Sequence, residues 1–153
     1  MRNAMSITAT MMLLICVSMS LSAQTTATWK GGKPGRANDW NCAANWKEGR
    51  APDDLSQVFI PAGVKYFPVI NNNTVDTVDA LLIEGGATLT LETDAYLVVL
   101  GETGRLDGIQ LFGKIYNKGT IEIGNQGVIS KTYAQHIEGN GTIMMTEKSI
   151  VKR

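Results

Sequence analysis

From Leu81 to Met145 apolar residues fall on odd numbers: Leu81, Ile83, Leu89, Leu91, Leu97, Val99, Ile109, Leu111, Ile115, Ile121, Ile123, Ile129, Ile137, Ile143 and Met145. The even positions between them are mostly polar, among them Glu84, Thr88, Thr90, Glu92, Gln110, Lys114, Thr120 and Glu122. A period of two predicts half-buried strands, with the odd residues facing inward and the even ones facing solvent. The chain is therefore expected to be all-β, with negligible helix in the mature domain.

A second regularity lies over the first. Gly119-Thr120-Ile121 recurs as Gly141-Thr142-Ile143, a step of 141 − 119 = 22. Leu89 to Leu111, Val99 to Ile121 and Ile115 to Ile137 show the same step. Self-similarity at such a period is the signature of a repeat architecture. It predicts a short parallel β-helix, or β-solenoid, in which each inward Leu or Ile stacks on its equivalent one coil away. Gly85, Gly86, Gly101, Gly113, Gly124 and Gly127 then fall at corners, where tight bends are needed. The alternative is an antiparallel β-sandwich, because short strands at this spacing fit that too; it would place hairpins between 81–83, 89–91 and 97–99.

Residues 1–23 read differently. Arg2 precedes an apolar run, Met11 to Val17, and Leu21-Ser22-Ala23 supplies small residues before Gln24. This is the layout of a secretory signal peptide, and its apolar centre is shorter than a membrane span of about 20 residues. Processing with lipid attachment at Cys16 is the alternative. Removal of the segment leaves 153 − 23 = 130 residues, enough for one domain. The expected organisation is a signal peptide at 1–23, a Trp-rich N-terminal cap with the first strands at 24–79, and solenoid coils at 80–153. The expected location is secreted or in the cell envelope, with no transmembrane segment in the mature chain.

Charge adds little. Loss of Arg2 leaves 14 − 1 = 13 basic residues against 14 acidic ones, which does not steer toward nucleic acid. Cys16 would leave with the signal peptide, so Cys42 remains alone and no intrachain disulfide forms. A buried Cys42 behaving as a small hydrophobe is the expected state.

All three tryptophans, Trp29, Trp40 and Trp46, lie in the stretch before the regular strands. Two roles are open to them. They can close the end of a solenoid whose apolar core would otherwise meet water, or they can form a stacking platform for sugar rings. The stretch resembles the Trp-rich cap plus right-handed β-solenoid segments of secreted Bacteroidota-type surface proteins. The resemblance rests on Trp29, Gly31, Asp39, Trp40, Asn45, Trp46, Gly49, Pro52, Val58, Ile60, Pro61, Pro68, Val69, Ile70, Ile83, Gly86, Ala87, Thr88 and Leu89. It implies a right-handed solenoid in an exported protein and no catalytic residue. The closing EKSIVKR is similar to the basic end of a type IX sorting signal, without the domain that precedes such a signal.

Catalytic constellations are thin. His136 is the single histidine, so a His-rich metal centre or paired-histidine acid–base chemistry is not available. Glu84, Glu92, Asp94, Glu102 and Glu122 could in principle supply a carboxylate pair, but the expected reading is ordinary solvated charges. Asp53-Asp54 and Asp76 with Asp79 lack the ligand spacing of known calcium loops. No catalytic, cofactor or metal residues are assigned. The expected function is a non-catalytic surface, matrix or adhesion module, a rigid β spacer or contact surface whose partner is a cell-surface protein or a polysaccharide. The alternative is a polysaccharide-binding module, or a remnant of a polysaccharide-active β-helix enzyme, using Trp29, Trp40 or Trp46.

Overall fold

A computed structural model describes residues 24–101, 108–124 and 135–146. The expected signal peptide at 1–23, Cys16, Glu102, Gly127, Ile129 and the terminal EKSIVKR lie outside the described residues. The described chain is a parallel β-solenoid of about three turns. Its strands in order are β1 (Thr25–Thr28), β2 (Ser56–Ile60), β3 (Val69–Ile70), β4 (Val75–Val78), β5 (Ala80–Ile83), β6 (Thr88–Leu91), β7 (Tyr96–Val99), β8 (Ile109–Leu111), β9 (Lys114–Asn117), β10 (Thr120–Ile123), β11 (Ile137–Glu138) and β12 (Thr142–Met145). One short 3₁₀ turn, Ala43–Asn45, is the only helical element among the described residues.

Among the described residues three coils, β2-β3-β4, β5-β6-β7 and β8-β9-β10, each contribute one strand to each of three sheets, with β1 before them and β11 and β12 after. The sheet orders are β1-β2-β5-β8, β3-β6-β9-β11 and β4-β7-β10-β12, and every ladder is parallel. The antiparallel sandwich is thereby excluded: β5, β6 and β7 form no hairpins with one another and lie on three different faces.

The stacking follows from side-chain alternation. Val58 pairs with Leu81, and Leu81 pairs with Ile109. Leu89 pairs with Ile115, and Leu97 pairs with Ile121. All of these are buried, so one row of aliphatic side chains runs up the inside of each face. Burying such a Leu or Ile is worth roughly 1.5–3 kcal/mol each.

Two of the four 22-residue matches are structural. Ile115 pairs with Ile137, and Gly119-Thr120-Ile121 stacks under Gly141-Thr142-Ile143. The other two are coincidences of alternation. Leu89 pairs with Ile115 (115 − 89 = 26), and Val99 pairs with Ile123 (123 − 99 = 24). The coils differ in length: one residue separates Val78 from Ala80 in the sequence, whereas nine separate Val99 from Ile109.

The inward assignment also needs a correction at its far end. Ile143 and Met145 are 43% and 62% exposed. They lie on β12, and no described strand stacks beyond it.

Candidate functional site

The cap assembles around Trp46. Its ring meets Trp29 edge-on at 5.0 Å and 81°, and Trp40 at 4.9 Å and 86°. This edge-to-face geometry sets positive ring edges against negative ring faces. Trp46 Nε1 donates to the Trp40 carbonyl at 2.7 Å, and Trp29 Nε1 donates to the Tyr66 carbonyl at 2.7 Å. Trp40 Nε1 is buried and meets no acceptor among the described residues.

Buried Asn45 fixes the loop around these rings. Its amide donates to the Arg36 and Asp39 carbonyls, and its Oδ1 accepts from Lys33 N–H at 2.9 Å. The cap is sewn to the first coil by Trp40 N–H to Val69 O, by Val69 N–H to Asn38 O, and by Asn38 Nδ2 to Phe67 O.

This placement corrects the sugar-stacking role considered for Trp29, Trp40 and Trp46. All three are 0% exposed, so none offers an indole face to a ligand. Their rings belong to the same core cluster as Val58 and Ile70. Cys42 is a free, buried thiol.

The carboxylates considered as a catalytic pair are dispersed. Glu92 accepts from Lys118 Nζ at 3.1 Å, and Glu84 accepts from Ala62 N–H at 2.9 Å. Glu122 accepts from both Tyr96 Oη and Thr146 Oγ1, and these bonds hold its carboxyl below the usual range. Asp94 sits at a corner with a φ of 60°. Asp53 accepts from Ser56 Oγ at 2.6 Å and pairs with Arg50 at 2.9 Å. Asp79 is buried and accepts from Gln24 Nε2. Among the described residues no group of three or more His, Cys, Asp and Glu is placed to hold a metal ion.

What the fold does build is a groove at one corner of the solenoid. Three successive coils contribute to it: Gly86 and Ala87 from the turn between β5 and β6 with Thr88 at the start of β6, Phe112 and Gly113 from the turn between β8 and β9 with Lys114 at the start of β9, and His136 just before β11. Its volume is about 310 Å³. Gly113 makes the corner possible, since a Cβ there would lie 2.3 Å from the Ala87 carbonyl oxygen.

The backbone of the groove is already committed. Phe112 and Gly113 N–H both donate to Ile83 O, Lys114 N–H donates to Ala87 O, and Ala87 N–H donates to Glu84 O. Side chains therefore carry its chemistry. Phe112 is 55% exposed. Lys114 Nζ donates to Glu138 at 2.6 Å, and the Glu138 bond and charge push the ammonium up, keeping it protonated. His136 Nδ1 lies 3.0 Å from the Gly113 carbonyl. A carbonyl only accepts, so Nδ1 carries a proton toward Gly113, and on the other side of the ring Gln135 Nε2 lies 3.5 Å from His136 Nε2.

Phe112 breaks the alternation, as a large apolar residue at an even, outward position. That even-numbered aromatic is the signal in the sequence for this corner. No family model, curated protein or solved structure matches the chain. Among the described residues no helix is long and apolar enough to cross a membrane.

Proposed function

We propose that this protein is an exported, non-catalytic surface, matrix or adhesion module, a rigid β spacer presenting flat contact faces. The observation that carries the reading is the bracing of the exterior from coil to coil. Lys118 of the third coil reaches Glu92 of the second. Lys114 reaches Glu138 one coil on. Tyr96, Glu122 and Thr146 form a chain across three coils on another face. Single exposed ion pairs contribute about 0–1 kcal/mol. Their value here is geometric: each fixes an outward side chain relative to the next coil. With aliphatic rows inside and braces outside, adjacent coils resist shear, as a spacer requires. The outward rows, such as Thr90 beside Tyr116 and Thr88 beside Lys114, offer repeated shallow contacts suited to a broad partner surface.

The test starts with location. Intact-mass measurement of the secreted and envelope fractions is expected to find a chain beginning near Gln24. A chain retaining Met1 and confined to the cytosol would overturn export. Mature protein immobilised on a surface is then offered to cells and matrix material of the producing organism. Retention above a denatured control is expected, whereas multiple-turnover conversion of any offered polymer would replace the non-catalytic reading.

A further inference from the structure

We infer that the β12 end of the solenoid is a dimerisation edge: β12 pairs antiparallel with β12 of a second copy of this chain, about a twofold axis through Met144. The inference goes beyond the spacer reading and does not depend on it.

Three observations carry it. The first is the state of β12. Thr142–Met145 is exposed along its whole length and ends its sheet beyond β10. It holds no charge, proline or bulge, the devices that keep an edge strand from pairing. Ile143 and Met145 continue the buried rows of Ile121 and Ile123, so side chains in interior positions stand at the surface.

The second is the contrast with the opposite end, where the first strand of every sheet is guarded. On β1, Thr28 N–H donates to the Glu48 carboxylate at 2.8 Å, and Thr28 O accepts from Lys47 N–H. On β3, Val69 N–H donates to Asn38 O and Val69 O accepts from Trp40 N–H. On β4, Asp76 places a carboxylate on the inward row, another known guard of an edge. A β12 arriving from a second copy finds these edges occupied or charged. Head-to-tail stacking would build an open filament, and the guarded end opposes it. A closed, isologous pair of β12 edges is the self-association that remains.

The third is register. Alternate residues of a parallel strand turn their N–H and C=O groups to opposite neighbours. Thr142 and Thr146 N–H bond back to Gly119 and Ile123, so Ile143 and Met145 turn theirs off the open edge. In an antiparallel pair centred on Met144, Ile143 of each copy faces Met145 of the other. Both become pairs that exchange their N–H···O bonds, and all four side chains fall on the core side. The hydrogen-bond phase and the side-chain face thus agree in one register. No charges of the same sign meet across it, since the strand has none.

The experiment is sedimentation equilibrium of residues 24–153 over a concentration series. A reversible monomer–dimer equilibrium is expected, with no larger species. Met144→Lys sets like charges directly opposite each other and is expected to leave only monomer, with the parent's far-ultraviolet circular dichroism. At the axis the two Cα atoms approach to about 4.5 Å, within disulfide reach. Met144→Cys is therefore expected to oxidise to a covalent dimer, whereas Thr142→Cys, which faces Thr146 of the other copy, is not. If Met144→Lys loses its β spectrum, the two cysteine substitutions decide. The proposal is overturned by a monomer at every concentration, which is the result if residues 147–153 cover β12. It is overturned by masses that grow without limit, as head-to-tail stacking would give. A dimer that Met144→Lys leaves intact, or equal cross-linking from positions 142 and 144, would place the contact elsewhere and overturn it too.

Discussion

Gly119 lies directly above Ala95: a Cβ built on Gly119 would sit 2.2 Å from the Ala95 carbonyl oxygen. That oxygen accepts the Thr120 N–H at 2.9 Å, so it cannot swing away without breaking the ladder. Gly119→Ala therefore forces the corner apart. Overpacking of this kind costs about 1–3 kcal/mol, and the lost Thr120 bond adds to it. Urea denaturation is expected to show a loss near the top of that range. A substitution cost under about 0.5 kcal/mol would mean that the coils can slide past one another.

The aliphatic rows make a second prediction. Leu97 is fully buried, between Asp76 on one coil and Ile121 on the next. Leu97→Ala should cost about 2–5 kcal/mol, while Leu97→Met should cost under about 1.5 kcal/mol. Thr90, outward on the neighbouring face, should tolerate Ala within about 0.5 kcal/mol. Equal effects at Leu97 and Thr90 would contradict the inward–outward assignment.

These rows show how much was legible. Alternation alone marked Leu81, Leu89, Leu97 and Ile121 as interior, because strand geometry fixes every second side chain on one face. It could not fix coil length. Length is set at the corners, where Gly, Thr and Asp turns vary freely without altering the strand pattern. Hence Ile115–Ile137 was found at its true spacing while Leu89–Leu111 was not. From sequence the tryptophans favoured a cap, with a sugar-stacking platform as the alternative. Only three-dimensional packing distinguishes an indole at 0% exposure from one on a surface. Phe112 was visible as an outward aromatic, but its meaning depends on Thr88 and His136 arriving at the same corner from other coils.

The cap predicts a spectroscopic signature. With all three indoles buried, native emission should be blue-shifted and insensitive to iodide, and should become quenchable only on unfolding. Trp46→Ala removes the ring that both neighbours contact and should cost about 3–5 kcal/mol. Trp46→Phe keeps a ring edge but strands the Trp40 carbonyl that Nε1 served, for a cost of about 1–3 kcal/mol. Strong iodide quenching of the folded protein would contradict the interior placement.

Two aspartates should give opposite pH responses. The hydrogen bond from Ser56 holds the Asp53 carboxyl below its ordinary value of 3.8, against some loss of hydration and with help from Arg50. Its folded pKa is thus lower than its unfolded one. The stability it contributes is present above about pH 4 and is lost as pH falls through the folded pKa. Ser56→Ala should cost about 1 kcal/mol at pH 7, since Ser56 also faces Thr25 Oγ1 at 3.0 Å. The cost should shrink on acidification. A cost unchanged down to pH 2 would show that the Thr25 contact dominates.

Asp76 runs the other way. Its strand register places it beneath Leu97, on the inward row. The cap residue Asn41 lies within 3.5 Å of its carboxylate. Burial pushes its pKa above 3.8; hydrogen bonds from Thr74 and Asn41 oppose the rise, and the nearby Asp39 charge adds to it. The folded state therefore holds the proton more tightly than the unfolded state. Below the unfolded value both states are protonated and the group has no cost. As pH rises through the folded pKa, the native protein must ionise a half-buried carboxyl, and stability falls by an amount that persists at neutral pH. Asp76→Asn keeps the size and a hydrogen-bonding amide while removing the charge. It should raise the melting temperature at pH 7 and leave it nearly unchanged at pH 3. Melting curves of both proteins between those pH values decide the matter: a variant less stable than the parent at pH 7 would show that the Asn41 contact needs a carboxylate.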